Sequence, residues 1–282
     1  MIGNIHRIMH KVGYVVKQTI KKADLTTTPY SQTYQSNSQT YKETLTMDYQ
    51  VQNPYQLYIA HRGSYQNKCV ENTMMAFKET YNSLSNELHG FECDFRQLNS
   101  KDKTSWVIFH DDDMVRLNGT KQIDVRSILY QDIFLSTIPT LDEFCNWIST
   151  LTSPIIINIE IKKGDANGIE YLVESLTSAN MNNSVTFVYS SFEKSALETL
   201  SKLNLNQLGF LFDEQSVLTI NYEDLKQYQF IATSFDCYQQ NKKEIQELNK
   251  PIGVYFTDSN RYMEQLEQLK LDPFVSLIFI EN

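Results

Sequence analysis

Two stretches of this chain place charged residues where apolar ones would be expected. Residues 90–95 read GFECDF, and residues 155–161 read IIINIEI and run straight into Lys162. In an extended strand, residues two apart point to the same face, so Glu92 and Asp94 project together with Cys93 turned away. Glu160 and Lys162 share a face by the same rule. A buried charge without a partner is costly, so apolar strands carry such residues for a reason. Three carboxylates brought to one place repel one another unless a cation lies between them. An oxygen-only donor set suits a hard divalent ion, Mg2+ or Ca2+. Two histidines stand in comparable places: His61-Arg62-Gly63 follows the run LYIA at 57–60, and His110-Asp111 follows WVIF at 106–109. Histidine exchanges a proton near neutral pH and suits acid–base work. Taken singly, each signal has a plain alternative: an E-x-D is compatible with two solvated carboxylates, and HRG with a turn after a strand.

The elements that must position these residues can be counted from Tyr55 onward. Nine strand candidates recur, at 57–60, 90–95, 106–109, 155–161, 185–190, 208–212, 230–235, 253–257 and 275–281. Helical patterns fill most of the gaps, as at 71–84, 140–151 and 193–203, which is the rhythm of repeated β–α units. The gap from Arg96 to Ser105 breaks that rhythm, because ten residues are too few for a parallel crossover with its helix. The run 106–109 is therefore expected to be an extra arm or an irregular step, leaving eight regular strands. Eight is the number that closes a (β/α)8 TIM-type barrel, and such barrels keep their chemistry at the C-terminal ends of the strands. The charged residues above fall at those ends.

Composition bounds the rest. The 282 residues are 41% hydrophobic and 21% charged, which suits one sizeable globular core. A net charge of -9 argues against a nucleic-acid partner. Residues 1–22 nevertheless carry Arg7, Lys11, Lys17, Lys21 and Lys22 with no acidic residue, and Ile5, Met9, Val12, Val16 and Ile20 recur at helical spacing. This predicts a basic amphipathic helix that either packs on the barrel or makes weak peripheral contact with an anionic membrane. Residues 23–54, rich in Thr, Ser, Gln, Asn and Tyr, read as a flexible polar linker, and 55–282 as the barrel domain. Cys69, Cys93, Cys145 and Cys237 lack metal-ligand spacing and read as reduced core thiols. No run is long enough for a signal peptide or a membrane span, so the expected location is the cytoplasm, either free or peripheral to the inner face of the membrane. Oligomeric state is not readable. His6, His10 and His89 read as surface residues, and Asp111 as either an orienting partner of His110 or a helix cap.

With these positions in hand, a family resemblance emerges. Ala60-His61-Arg62-Gly63, Glu71-Asn72-Thr73, Glu92-Cys93-Asp94, His110-Asp111, Ile138-Pro139-Thr140-Leu141 with Glu143, and Glu160-Ile161-Lys162 occur in the order seen in glycerophosphodiester phosphodiesterases. Ser190-Ser191-Phe192 and Leu208-Gly209-Phe210 are further landmarks, and the resemblance spans Leu57 to Glu281. It implies one divalent ion on Glu92, Asp94 and Glu160, and His61 and His110 as the acid–base pair. It also implies phosphate binding by Arg62 and Lys162, and a supporting role near Arg62 or the ligand for Glu71 and Asn72. Phe192, Phe210 and Phe256 are candidates for the pocket lining. The implied reaction is hydrolysis of a small glycerophosphodiester to an alcohol and glycerol 3-phosphate, with the neighbouring hydroxyl attacking first to give a cyclic phosphate. The chain departs from the family at Val70, at Phe256-Thr257-Asp258-Ser259 and at Ile280-Glu281-Asn282, positions expected on the rim that meets the alcohol group. A lysophospholipase D-like cleavage of a lipid headgroup is the competing enzyme. A non-catalytic binding module is the competing class, and the retention of both histidines and all three carboxylates argues against it.

Overall fold

The computed structural model describes residues 56–64, 69–85, 87–98, 103–112 and 138–281. The basic stretch 1–22 and the linker 23–54, with His6 and His10, lie outside these residues. Among the described residues nine strands are formed: β1 Leu57–Ala60, β2 Gly90–Gln97, β3 Trp106–Ile108, β4 Ile155–Lys163, β5 Val185–Ser191, β6 Leu208–Phe212, β7 Phe230–Ser234, β8 Ile252–Tyr255 and β9 Val275–Ile280. Eight of them pair in parallel in the order β1-β2-β4-β5-β6-β7-β8-β9, and β9 returns to β1 to close the ring. The ring is a TIM-type barrel. β3 is the exception, pairing antiparallel with β2 from Phe95–Ile108 to Gln97–Trp106. Helices follow the strands: α1 Met74–Asn82, α2 Leu141–Ile148, α3 Ala166–Ala179, α4 Lys194–Lys202, α5 Tyr222–Leu225, α6 Phe235–Gln240, α7 Lys242–Glu247 and α8 Tyr262–Lys270.

Two apolar layers follow from the period-two alternation of the strands. Ile59, Val188, Leu211, Phe230, Ala232, Leu277 and Phe279 form one cluster, which fills the barrel interior. Their neighbours Ile157, Ile159, Ile161, Ile231 and Ile278 face the other way and join the larger cluster beneath the helices. β2 and β4 obey the same alternation with different chemistry. Phe91, Cys93 and Phe95 go to the helix layer, which leaves Glu92, Asp94 and Arg96 on the inner face. Cys69 and Cys145 are half-buried, not core; Cys93 and Cys237 are buried.

Several helix starts are set by side-chain caps. Thr73 accepts from the Ala76 N–H to begin α1, and Thr140 with Glu143 forms a reciprocal capping box at α2. The conspicuous IPTL-E motif is therefore a helix start. Among the described residues no helix is long and apolar enough to cross a membrane.

Candidate active site

Strand register assembles the site. Asp94 on β2 lies directly opposite Glu160 on β4, with Glu92 two residues back opposite Asn158. The β2–β4 register then shifts between Phe95 and Arg96, so Phe95 pairs with Ile161 and Arg96 with Lys163. Lys162 is the extra residue of this bulge, the kind of irregularity that re-aims a side chain next to a site. On the other side of β2, Ala60 pairs with Phe91, which brings His61 level with Glu92.

Glu92, Asp94 and Glu160 each offer an oxygen within 4.8 Å of the others, and all three residues are buried. One oxygen of each (Glu92 Oε1, Asp94 Oδ1 and Glu160 Oε1) is buried without a hydrogen bond. Two of these oxygens face the Lys162 ammonium, which lies 3.2 Å from Asp94 Oδ1 and contacts Glu160 Oε1. The remaining oxygens of two of the carboxylates are held from behind. Glu92 Oε2 accepts from the Arg62 backbone N–H at 2.9 Å, and Asp94 Oδ2 accepts from Asn72 Nδ2 at 2.6 Å. Three buried carboxylates with oxygens this close together, two of them held from behind, fit a divalent cation. The electrostatics agree. Burial, then repulsion from Asp94 and Glu160, pushes the Glu92 carboxyl well above its usual range. Burial also raises Glu160, although Lys162 pulls it back in part. Burial would raise Asp94 as well, but Lys162, His110 and Arg62 outweigh it and hold the carboxyl low. For Lys162, burial favours the neutral amine, yet Asp94 and Glu160 outweigh that and keep it charged.

The turn after β1 carries unusual backbone. Arg62 has φ 53° and Gly63 φ 67°, two left-handed residues in succession. Arg62 bears the cost of a Cβ in that region, of order 1–3 kcal/mol, and the surroundings enforce it. The Asn72 N–H donates to the Arg62 carbonyl at 2.7 Å, and Thr80 Oγ1 donates to the Gly63 carbonyl at 2.7 Å. Arg62 Nη1 donates to Glu71 Oε1 at 2.9 Å, and its Nε lies 3.7 Å from Asp94 Oδ2. Glu71 thus orients the guanidinium. Asn72 stands behind Asp94, where its Oδ1 also accepts the Asp94 N–H, and it does not line the cavity.

The two histidines arrive by different routes. His61 follows β1 directly, with Nε2 3.9 Å from Glu92 Oε2. His110 comes by the antiparallel arm, which folds back along β2 so that Phe109 N–H donates to the Asp94 carbonyl at 2.8 Å. Arg96, buried on the inner face of β2, clamps that segment through the His110 carbonyl and Asp112 Oδ1, both at 2.6 Å. His110 Nδ1 meets Asp111 Oδ1 at 2.7 Å, so Asp111 sits where an orienting partner would. Burial, with Lys162 and Arg62 nearby, pushes the His110 pKa down to about 4 despite Asp94. His89, expected on the surface, is instead half-buried, and its Nδ1 accepts the Tyr58 N–H at 3.2 Å.

These groups open on a cavity of about 480 Å³ lined by His61, Arg62, Glu92, His110, Glu160 and Lys162, together with Phe192 and Phe256. Phe210 does not line it and packs against Tyr228. Asp213, Glu214 and Tyr255 also line it and were not anticipated there. Glu281, expected on the alcohol rim, lines the cavity and contacts the His61 ring. Arg96 was also missed, although it extends the Glu92–Asp94 alternation by one step and could have been read from it.

Fold and site define a class: a TIM-type barrel with carboxylates, histidines and cationic side chains gathered at the C-terminal mouth. The chain belongs to the glycerophosphoryl diester phosphodiesterase family, whose model matches residues 61–276, and it is an enzyme of that family. Two solved structures share the fold. One is a glycerophosphodiester phosphodiesterase from Agrobacterium tumefaciens str. C58, at TM-score 0.57 and 15% identity over 79% of this chain and 95% of that one. The other is an Oleispira antarctica phosphodiesterase in complex with the product sn-glycerol-3-phosphate, at TM-score 0.57 and 19% identity over 79% of this chain and 92% of that one. No curated protein matches the sequence significantly.

Proposed function

We propose that the enzyme hydrolyses small glycerophosphodiesters to an alcohol and glycerol 3-phosphate, with one divalent ion, Mg2+ or Ca2+, held by Glu92, Asp94 and Glu160. The observation that carries this reading is the set of three buried carboxylates whose oxygens lie within 4.8 Å of one another, beside two cationic side chains. When bound, the ion supplies positive charge next to the phosphate and polarises it. Arg62 and Lys162 bind the phosphate oxygens and strengthen their hold as negative charge builds in the transition state. One histidine takes the proton from the attacking oxygen, and the other delivers a proton to the leaving alcohol oxygen. The product complex of the Oleispira relative and the modest size of the cavity support a small substrate.

The test is turnover of a panel of glycerophosphodiesters and lysophospholipids by the purified protein, with and without chelator. Chelation is expected to abolish activity and added Mg2+ or Ca2+ to restore it. Replacing any one of Glu92, Asp94 and Glu160 by Ala is expected to remove both activity and tight metal binding. His61→Ala and His110→Ala are each expected to lose roughly 10²–10⁴-fold in rate. Full activity in excess chelator would overturn the metal-dependent reading.

A further inference from the structure

We infer that Glu281 is the positioning residue for His61: its carboxylate accepts the Nδ1 hydrogen and thereby turns Nε2 towards the reacting ester. The inference rests on the catalytic reading of His61 given above. Its basis is the closure of the barrel. β9 runs beside β1 with Leu57 opposite Leu277, Ile59 opposite Phe279 and Ala60 opposite Ile280. One residue further on, His61 and Glu281 follow directly on the paired ends of these neighbouring strands. The alternation of β9 places Leu277 and Phe279 in the barrel interior, and Glu281 is next on that face. His61 Nδ1 contacts Glu281 Oε1, while the opposite ring nitrogen Nε2 looks towards Glu92. Tyr255 and Phe279, with ring centroids 6.3 and 6.4 Å away, flank the imidazole.

An imidazole with a carboxylate on one nitrogen keeps its hydrogen there and presents the other nitrogen for proton transfer. The carboxylate also stabilises the imidazolium that forms during the transfer. The second histidine shows the same arrangement, with Asp111 on Nδ1 of His110. The two histidines are thus built alike, one from a sequence neighbour and one from across the barrel closure.

The experiment combines Glu281→Gln and Glu281→Ala with His61→Ala, assayed in the metal-loaded protein on a glycerophosphodiester and on bis(p-nitrophenyl) phosphate. Glu281→Gln and Glu281→Ala are expected to lower kcat about 10–100-fold while leaving KM near that of the parent. In the His61→Ala background, Glu281→Gln is expected to change the residual rate no further, because its effect passes through the ring. Nitrogen NMR of the histidines gives a readout independent of turnover: the His61 ring hydrogen should reside on Nδ1 and become mixed in Glu281→Gln. Losses that multiply in the double variant, or a parent ring protonated on Nε2 alone, would overturn the assignment. If His61→Ala is slow while the Glu281 variants match the parent, this inference alone fails. If His61→Ala itself turns over at the parent rate, the catalytic reading of His61 fails and takes the inference with it.

Discussion

His110 is held in a place that disfavours its charged form, and the consequence is measurable as stability. Its pKa is pushed down to about 4 from an ordinary 6.5, first by burial and then by the cations Lys162 and Arg62. A folded pKa below the unfolded one means that stability present above about pH 6.5 is lost as the pH falls, with the loss complete below about 4. Glu92 and Glu160 are shifted the other way, so their cost is relieved on acidification and the total profile mixes both signs. The difference between the parent and His110→Gln isolates the histidine. In chelator, the variant is expected to gain stability relative to the parent as pH drops from 6.5 towards 4 and to show no such trend above 7, read by urea unfolding at each pH. Much at this scale was legible beforehand. Glu92, Asp94, Glu160 and Lys162 announce themselves as charges in apolar strands, and their common faces follow from a period of two. Glu281 carries the same signal, closing the run VSLIFIE with a charge. Its partner was invisible, because only the pairing of β9 with β1 brings it to His61.

At the scale of elements, the register between β2 and β4 decides whether Asp94 and Glu160 face each other. That register begins at Gly90, opposite Ile156. A Cβ on Gly90 would collide with the Ile156 carbonyl, backbone that cannot yield as a side chain could. Gly90→Ala is therefore expected to cost at least about 2 kcal/mol in urea unfolding. Because the strand must slide or tilt to accept the methyl, divalent-ion affinity measured by calorimetry should fall in the protein that still folds. A substitution that leaves both unchanged would show that the carboxylates are placed by something other than this pairing. The alternation of strands and helices made the barrel readable, and the short gap before Trp106 marked the arm. What the arm does was not readable. It runs antiparallel and returns His110 to Asp94, and that depends on Phe109 and Arg96 bonding to groups distant in sequence. The bulge at Lys162 was equally hidden, since it belongs to a pair of strands and to neither alone.

For the whole molecule, charge is divided. The chain carries -9 overall, yet residues 1–22 hold five cations and no acidic residue. Each cation contributes roughly 1 kcal/mol at an anionic membrane surface, while the acidic remainder is repelled. Full-length protein is expected to sediment with anionic vesicles at low salt, to be released at high salt, and to stay in solution once residues 1–22 are removed. Retention in the supernatant at low salt would argue for the alternative, a helix packed on the barrel. The order of the strands in the chain has a consequence for biosynthesis. His61 and Arg62 follow β1, the first of the nine described strands, and they stand beside β9, the last of them. A partly synthesised chain therefore carries both residues without the wall that completes their surroundings. Hydrolytic competence should appear only after the seam has shut, so that a nascent or clipped barrel stays inert towards the phosphodiesters around it.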